Sequence, residues 1–147
     1  MLEQRLEQDI KTALLAGDKT KAETLRLLKS VLLNFKVANG SRDRAMTDDE
    51  VILLLSKESK KRQESADLYI QGNSPERAEK ELSEKAIIDA YLPAQLSEDE
   101  IAKLVDEAIA GSDNPNMGQL IGQVKAKAGA AADGALIARL VRERLQA

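Results

Sequence analysis

Tyr91-Leu92-Pro93-Ala94-Gln95-Leu96-Ser97 interrupts a chain that otherwise reads as helix after helix. The Pro93 ring removes a backbone donor and pushes Leu92 out of the α region, so a helix ends here. Ser97, with Glu100 three residues on, has the spacing of a capping box and starts the next helix. The break predicts an N-terminal helical subdomain over residues 1–92 and a C-terminal three-helix subdomain over residues 93–147. Tyr91, Leu92 and Leu96 make the break itself apolar, which predicts a packed joint rather than a free tether.

The composition agrees with helices. Of 147 residues, 43% are apolar but only 2% aromatic, so Leu, Ile, Val and Ala must fill the core. That favours helix-on-helix packing over a sheet. Charged residues make up 32% and nearly cancel, at a net −3, which gives no global pull toward nucleic acid or anionic lipid. No apolar run approaches the roughly 20 residues of a membrane span. Residues 1–5 show no signal-peptide pattern, and the cytoplasm is the expected compartment.

Upstream of the break, Leu2, Leu6, Ile10 and Leu14 predict a helix over about residues 2–16 that Gly17 ends. Asp18 or Thr20 would cap the next helix, to about residue 38. Its Leu25, Leu28, Leu32 and Phe35 form one face, with Leu27 and Val31 beside it, so it should be central to its bundle. Thr47 and Glu50 read as another capping box, opening a helix to about Ile70. Ser74-Pro75 opens a fourth, cap first and then proline. The third helix is apolar early (Val51, Ile52, Leu54, Leu55) and polar late. The fourth is polar early and apolar late (Leu82, Ile87, Ile88, Tyr91). The halves match if the two helices run antiparallel as a hairpin whose polar end projects.

Downstream, Ile101, Leu104, Val105, Ala108 and Ile109 mark one helix, and Leu120, Ile121 and Val124 mark the next. Leu136, Ile137, Leu140, Val141 and Leu145 mark the last, which Asp133 would cap. The predicted fold is all-α, with two helical subdomains: a bundle bearing the hairpin, then a three-helix bundle.

The chain has no His and no Cys, which removes the commonest general base, thiolate chemistry and the usual zinc ligands. It has no phosphate loop and no strand for a dinucleotide fingerprint to follow. No metal or cofactor is expected. Gly118 and Gly122, four apart, read as a close helix approach. Lys57, Lys60, Lys61 and Arg62 lie among acids and read as a solvated, ion-paired face. Lys125, Lys127, Arg139, Arg142 and Arg144 form the other basic cluster. The last 23 residues hold these five against Asp133 and Glu143, a local +3. They are the candidates for phosphate contact.

The chain resembles stand-alone members of the GatB/YqeY family over nearly its full length. The resemblance rests on Leu25-Arg26-Leu27-Leu28-Lys29, on residues 57–65 (KESKKRQES), and on Tyr91-Leu92-Pro93-Ala94-Gln95-Leu96-Ser97. It rests also on Met117, Gly118, Gly122, Asp133, Gly134 and the Leu140-Val141 helix. It implies an all-helical two-part fold, similar to the tail of the B subunit of the tRNA-dependent amidotransferase. That tail helps hold tRNA while the kinase and amidase chemistry lie elsewhere. The resemblance also implies an inherited label, carbon–nitrogen ligase with glutamine as amido donor. Tyr91, Leu92, Pro93, Met117, Gly118, Gly122, Asp133 and Gly134 are then fold determinants: Met117 packs, Gly118 and Gly122 permit close approach, Asp133 caps. Relatives often carry Lys-Gly-Arg-Ala between Met117 and Asp133. This chain has Gly129-Ala130-Ala131-Ala132 instead, two basic positions fewer.

Two readings stay open. One is an RNA-binding accessory module, with tRNA as partner and a tie to tRNA-dependent amidation. The other is a protein-interaction module that uses the hairpin of residues 56–81 to meet an amidotransferase or another protein. No nucleophile–base pair is visible, so catalysis by this chain alone is not expected. No membrane partner is expected, and the oligomeric state is left open.

Overall fold

A computed structural model describes residues 1–146, the Ala130 side chain apart. The described residues form helices and no strands: α1 (Leu2–Leu15), α2 (Lys19–Ala38), α3 (Asp48–Gln71), α4 (Pro75–Asp89), α5 (Glu98–Ala110), α6 (Met117–Ala128) and α7 (Gly134–Gln146), with a 3-10 turn at Gly129–Ala131. The fold is all-α. The chain divides into two compact units, Met1–Leu92 and Pro93–Ala147.

Helix ends follow local chemistry. α1 and α2 close in the same way: the N–H of Asp18 reaches the Ala13 carbonyl, and that of Ser41 reaches Lys36. Both closures need a left-handed residue, and glycine supplies it at Gly17 (φ 72°) and Gly40 (φ 65°). α3 closes likewise, with Ser74 N–H on the Tyr69 carbonyl, but its left-handed residue is Asn73. Asp18 caps α2 by accepting from the Lys21 N–H. Ser97 and Glu100 form the full capping box on α5. At α3 only half of the predicted box forms. Thr47 accepts from the Glu50 N–H, but the Glu50 carboxylate turns to the Arg44 guanidinium at 3.0 and 3.1 Å. A charge-assisted pair outcompetes a neutral backbone donor. Ser74 likewise makes no side-chain cap, and Pro75 alone opens α4.

The first unit packs Leu6 and Ile10 of α1, Leu25, Leu28 and Leu32 of α2, Val51 and Leu55 of α3, and Ile88 with Tyr91 at the end of α4. Several predicted core positions are not in it. Leu14 is 48% exposed and Ala13 is buried instead. A repeat of four advances 400° per step, so the stripe slides around the helix until its last member leaves the core. Leu27 stands about 100° around the helix from Leu28 and is exposed, so α2 buries a narrower face than its composition suggests. Leu82 also lies outside the core.

α3 and α4 run antiparallel. Ser59 donates to Asp89, Arg62 reaches Glu84 and Glu81, and Arg77 lies over the Tyr69 ring. Beyond Leu55 the seam holds small and polar groups. Ala66 and Ala78 are fully packed, Glu58 and Ser59 are buried, and Arg62 is 17% exposed between 19%-exposed Glu81 and Glu84. Arg62, read from sequence as part of a solvated face, is therefore a seam residue, while Lys57 and Lys61 are exposed.

The second unit packs Ile101, Val105 and Ala108 of α5, Leu120 and Val124 of α6, and Ile137, Leu140 and Val141 of α7. Leu145 falls outside this core. Leu96 packs against the core, and its N–H donates to the Ala131 carbonyl. Tyr91 and Leu92 pack on the first core. The apolar residues of the break are thus accounted for within the units.

Candidate nucleic-acid interface

α6 starts where the Asn116 side chain accepts from the Gln119 N–H. Met117 packs at the edge of the second core. Gly118, Gly122 and Lys125 follow at i, i+4 and i+7, and so fall on one helical stripe. All three are exposed. A Cβ at Gly122 would meet nothing within 4 Å, and one at Gly118 would meet only the Asn116 side chain at 3.6 Å. These glycines therefore do not sit at a helix crossing, and the close-approach reading is corrected. The buried face of α6 is Leu120 and Val124, and the glycines lie away from it.

Gly134 differs. A Cβ there would come within 3.1 Å of Lys125 Cε and 3.2 Å of its Nζ. The Lys125 side chain lies along the start of α7, over a residue too small to displace it. Asp133 precedes it and accepts from the Ala135 N–H at 3.3 Å. From sequence, Lys125 is a candidate phosphate contact and Asp133 and Gly134 are fold determinants, with no link between them. The fold brings the Lys125 side chain over Gly134, while Gly118 and Gly122 share only the helical stripe on which Lys125 stands.

The other cations behave differently. Arg139 reaches Glu98 at 2.9 Å and Glu143 at 3.8 Å. Arg144 Nε donates to Asp106 at 2.9 Å. Lys127 lies 4.0 Å from Glu107. The acids at 98, 106 and 107 all come from α5. Over residues 93–147 there are six basic and eight acidic groups, a net −2. The local +3 of the last 23 residues is thus offset once α5 packs beside α6 and α7. Lys125 and Arg142 form no ion pair with a carboxylate among the described residues.

In the first unit the Tyr91 hydroxyl donates to Asp9, and Arg5 stacks 4.6 Å over the same ring. Burial first, and the Asp9 carboxylate next, push the Tyr91 phenol well above its ordinary value. Arg5 Nε also lies 3.7 Å from Asp9. The i, i+4 spacing of Arg5 and Asp9 was the available signal for this cluster. Its third member is 82 positions away.

No group of three metal-ligating side chains occurs among the described residues. No described helix is long and apolar enough to cross a membrane. The chain is similar to altered inheritance of mitochondria protein 41, mitochondrial, of Eremothecium gossypii, with 34% identity over 89 residues. The match covers 60% of this chain and 48% of that protein, so the chain spans about half of that relative's length. The model of the Yqey-like protein family matches residues 3–145, and the chain belongs to that family.

Proposed function

We propose that the protein is a non-catalytic accessory module that docks on tRNA through the exposed glycine face of α6. One observation carries this reading: Gly118, Gly122 and Lys125 share an exposed stripe, and Lys125 is set over Gly134. Where no Cβ stands, a sugar–phosphate backbone can approach the helix main chain, and an ammonium beside it meets a phosphate. Arg142 supplies a second cation without a carboxylate partner among the described residues. Arg139, Arg144 and Lys127 contribute less, because their charge is already answered by α5. The resemblance to the amidotransferase tail supports tRNA as the RNA and tRNA-dependent amidation as the setting. It is also the sole support for the carbon–nitrogen ligase label.

The test is a titration with bulk tRNA at two salt concentrations. Two phosphate contacts correspond to a loss of affinity of about tenfold between about 50 and 200 mM salt. Lys125→Glu and Gly122→Leu should each weaken binding, the second without changing the charge. Absence of binding at low salt, or binding indifferent to both variants, overturns the reading.

A second reading rests on a separate observation. Near the end of α3, Leu68 and Ile70 are 66% and 58% exposed among mixed charges. This suits a protein contact on residues 56–81. A pull-down that recovers tRNA and no stable protein partner would sink it.

A further inference from the structure

The Tyr91 cluster lines a depression of about 310 Å³ in the first unit, which the RNA reading does not use. Arg5 and Asp9 enter it from α1, Lys21 from α2, and Ala86 from α4, with Ala90 just past the end of α4 and Tyr91 completing the wall. Its volume lies at the small end of the range for small-molecule sites, about 300–1,000 Å³. The two alanines lie one helical turn apart and are both exposed, so the space opens to solvent along a smooth apolar wall.

The charges in it are not balanced. Asp9 already accepts from the Tyr91 hydroxyl and pairs with the Arg5 guanidinium at 3.7 Å. Lys21 has its backbone N–H on the Asp18 cap, but its ammonium forms no ion pair among the described residues. Two cations therefore face one neutralised carboxylate, and the site carries a surplus positive charge beside apolar surface. The Tyr91 ring and Asp9 both draw Arg5 toward the wall of the depression, which favours one placement of its guanidinium before any ligand arrives.

We infer that this depression between α1, α2 and α4 binds a small anion, with its charged head between Lys21 and Arg5 and a compact apolar body against Ala86 and Ala90. A carboxylate and a phosphate share the required head chemistry, and the apolar wall favours the short-chain carboxylate.

The full-length ¹⁵N-labelled protein would be titrated with butyrate, inorganic phosphate and neutral butyramide, at constant ionic strength. Saturable amide shifts at Ala86, Ala90 and Tyr91 are expected with butyrate, with α5–α7 unmoved. If phosphate saturates the same amides instead, the head chemistry stands and the preference for an apolar body falls. Lys21→Glu should weaken binding at least roughly tenfold. Arg26→Glu, on the same helix but outside the depression, should leave it unchanged. Lys21→Gln, which keeps the side chain's bulk, guards against a folding defect in the charge reversal. Linear shifts with both anions, equal shifts with butyramide, or equal losses in Lys21→Glu and Arg26→Glu would overturn the inference.

Discussion

Tyr91 and Glu3 each connect distant segments through a titratable group, and their signs are opposite. Tyr91 is an acid whose folded-state value is raised, so its protonated form is favoured by folding. The stability it supplies is present below its ordinary 10.0 and is lost as pH rises through the folded value. In an alkaline absorbance titration, one of the two tyrosines should therefore resist ionisation until the first unit loosens. Tyr91→Phe should remove that late component. Glu3 is the reverse case. Burial raises its value, but the Met46 N–H and the Lys36 ammonium outweigh burial and hold the carboxyl below its ordinary 4.5. Its contribution is complete above 4.5 and disappears as pH falls through the lower folded value. Glu3→Gln should destabilise at neutral pH and show a flatter acid limb in urea unfolding. A difference from wild type that stays constant down to strongly acidic pH would contradict this.

At the scale of the helix, the α3–α4 seam is the part of the fold whose stability rests least on apolar area. Beyond Leu55 its closest packing is Ala66 and Ala78. Ala66→Leu should cost about 1–3 kcal/mol by overpacking. Hydrogen exchange should quicken in α3 beyond Ser59 while α5–α7 stay as they were. If exchange quickens equally throughout, the seam is not a separate stability unit. The helix starts and stops were legible in sequence because caps, Gly17, Gly40 and Pro75 act locally. The seam was legible as an antiparallel match of polar with polar. Arg62 was not, since nothing in its neighbours shows whether a long cation points to solvent or across to Glu84. Leu14 was misplaced because a repeat of four drifts around the helix, and Leu27 and Leu82 because apolar composition does not say which face of a helix is buried.

For the whole molecule, charge is sorted by helix. α2 carries Lys19, Lys21, Arg26, Lys29 and Lys36 against Glu23, while α5 carries five acids against Lys103. The C-terminal basic residues were legible as residues, and their neutralisation was not. It depends on α5, which lies earlier in the chain and meets α6 and α7 only by tertiary packing. Removing the acids that answer Arg139 and Arg144, with Glu98→Gln and Asp106→Asn together, should tighten tRNA binding and steepen its salt dependence by roughly two phosphate contacts. An unchanged salt slope would mean that these arginines do not face the RNA.

The hydrogen bond from Tyr91 to Asp9 has a further consequence, in light rather than in energy. The chain has no tryptophan, two tyrosines and a single, weakly emitting phenylalanine, so tyrosine dominates its near-ultraviolet emission. A phenol that donates to a carboxylate loses its excited state by passing the proton along that bond. Tyr91 should therefore be quenched in the folded protein, and tyrosine emission should rise as the first unit opens.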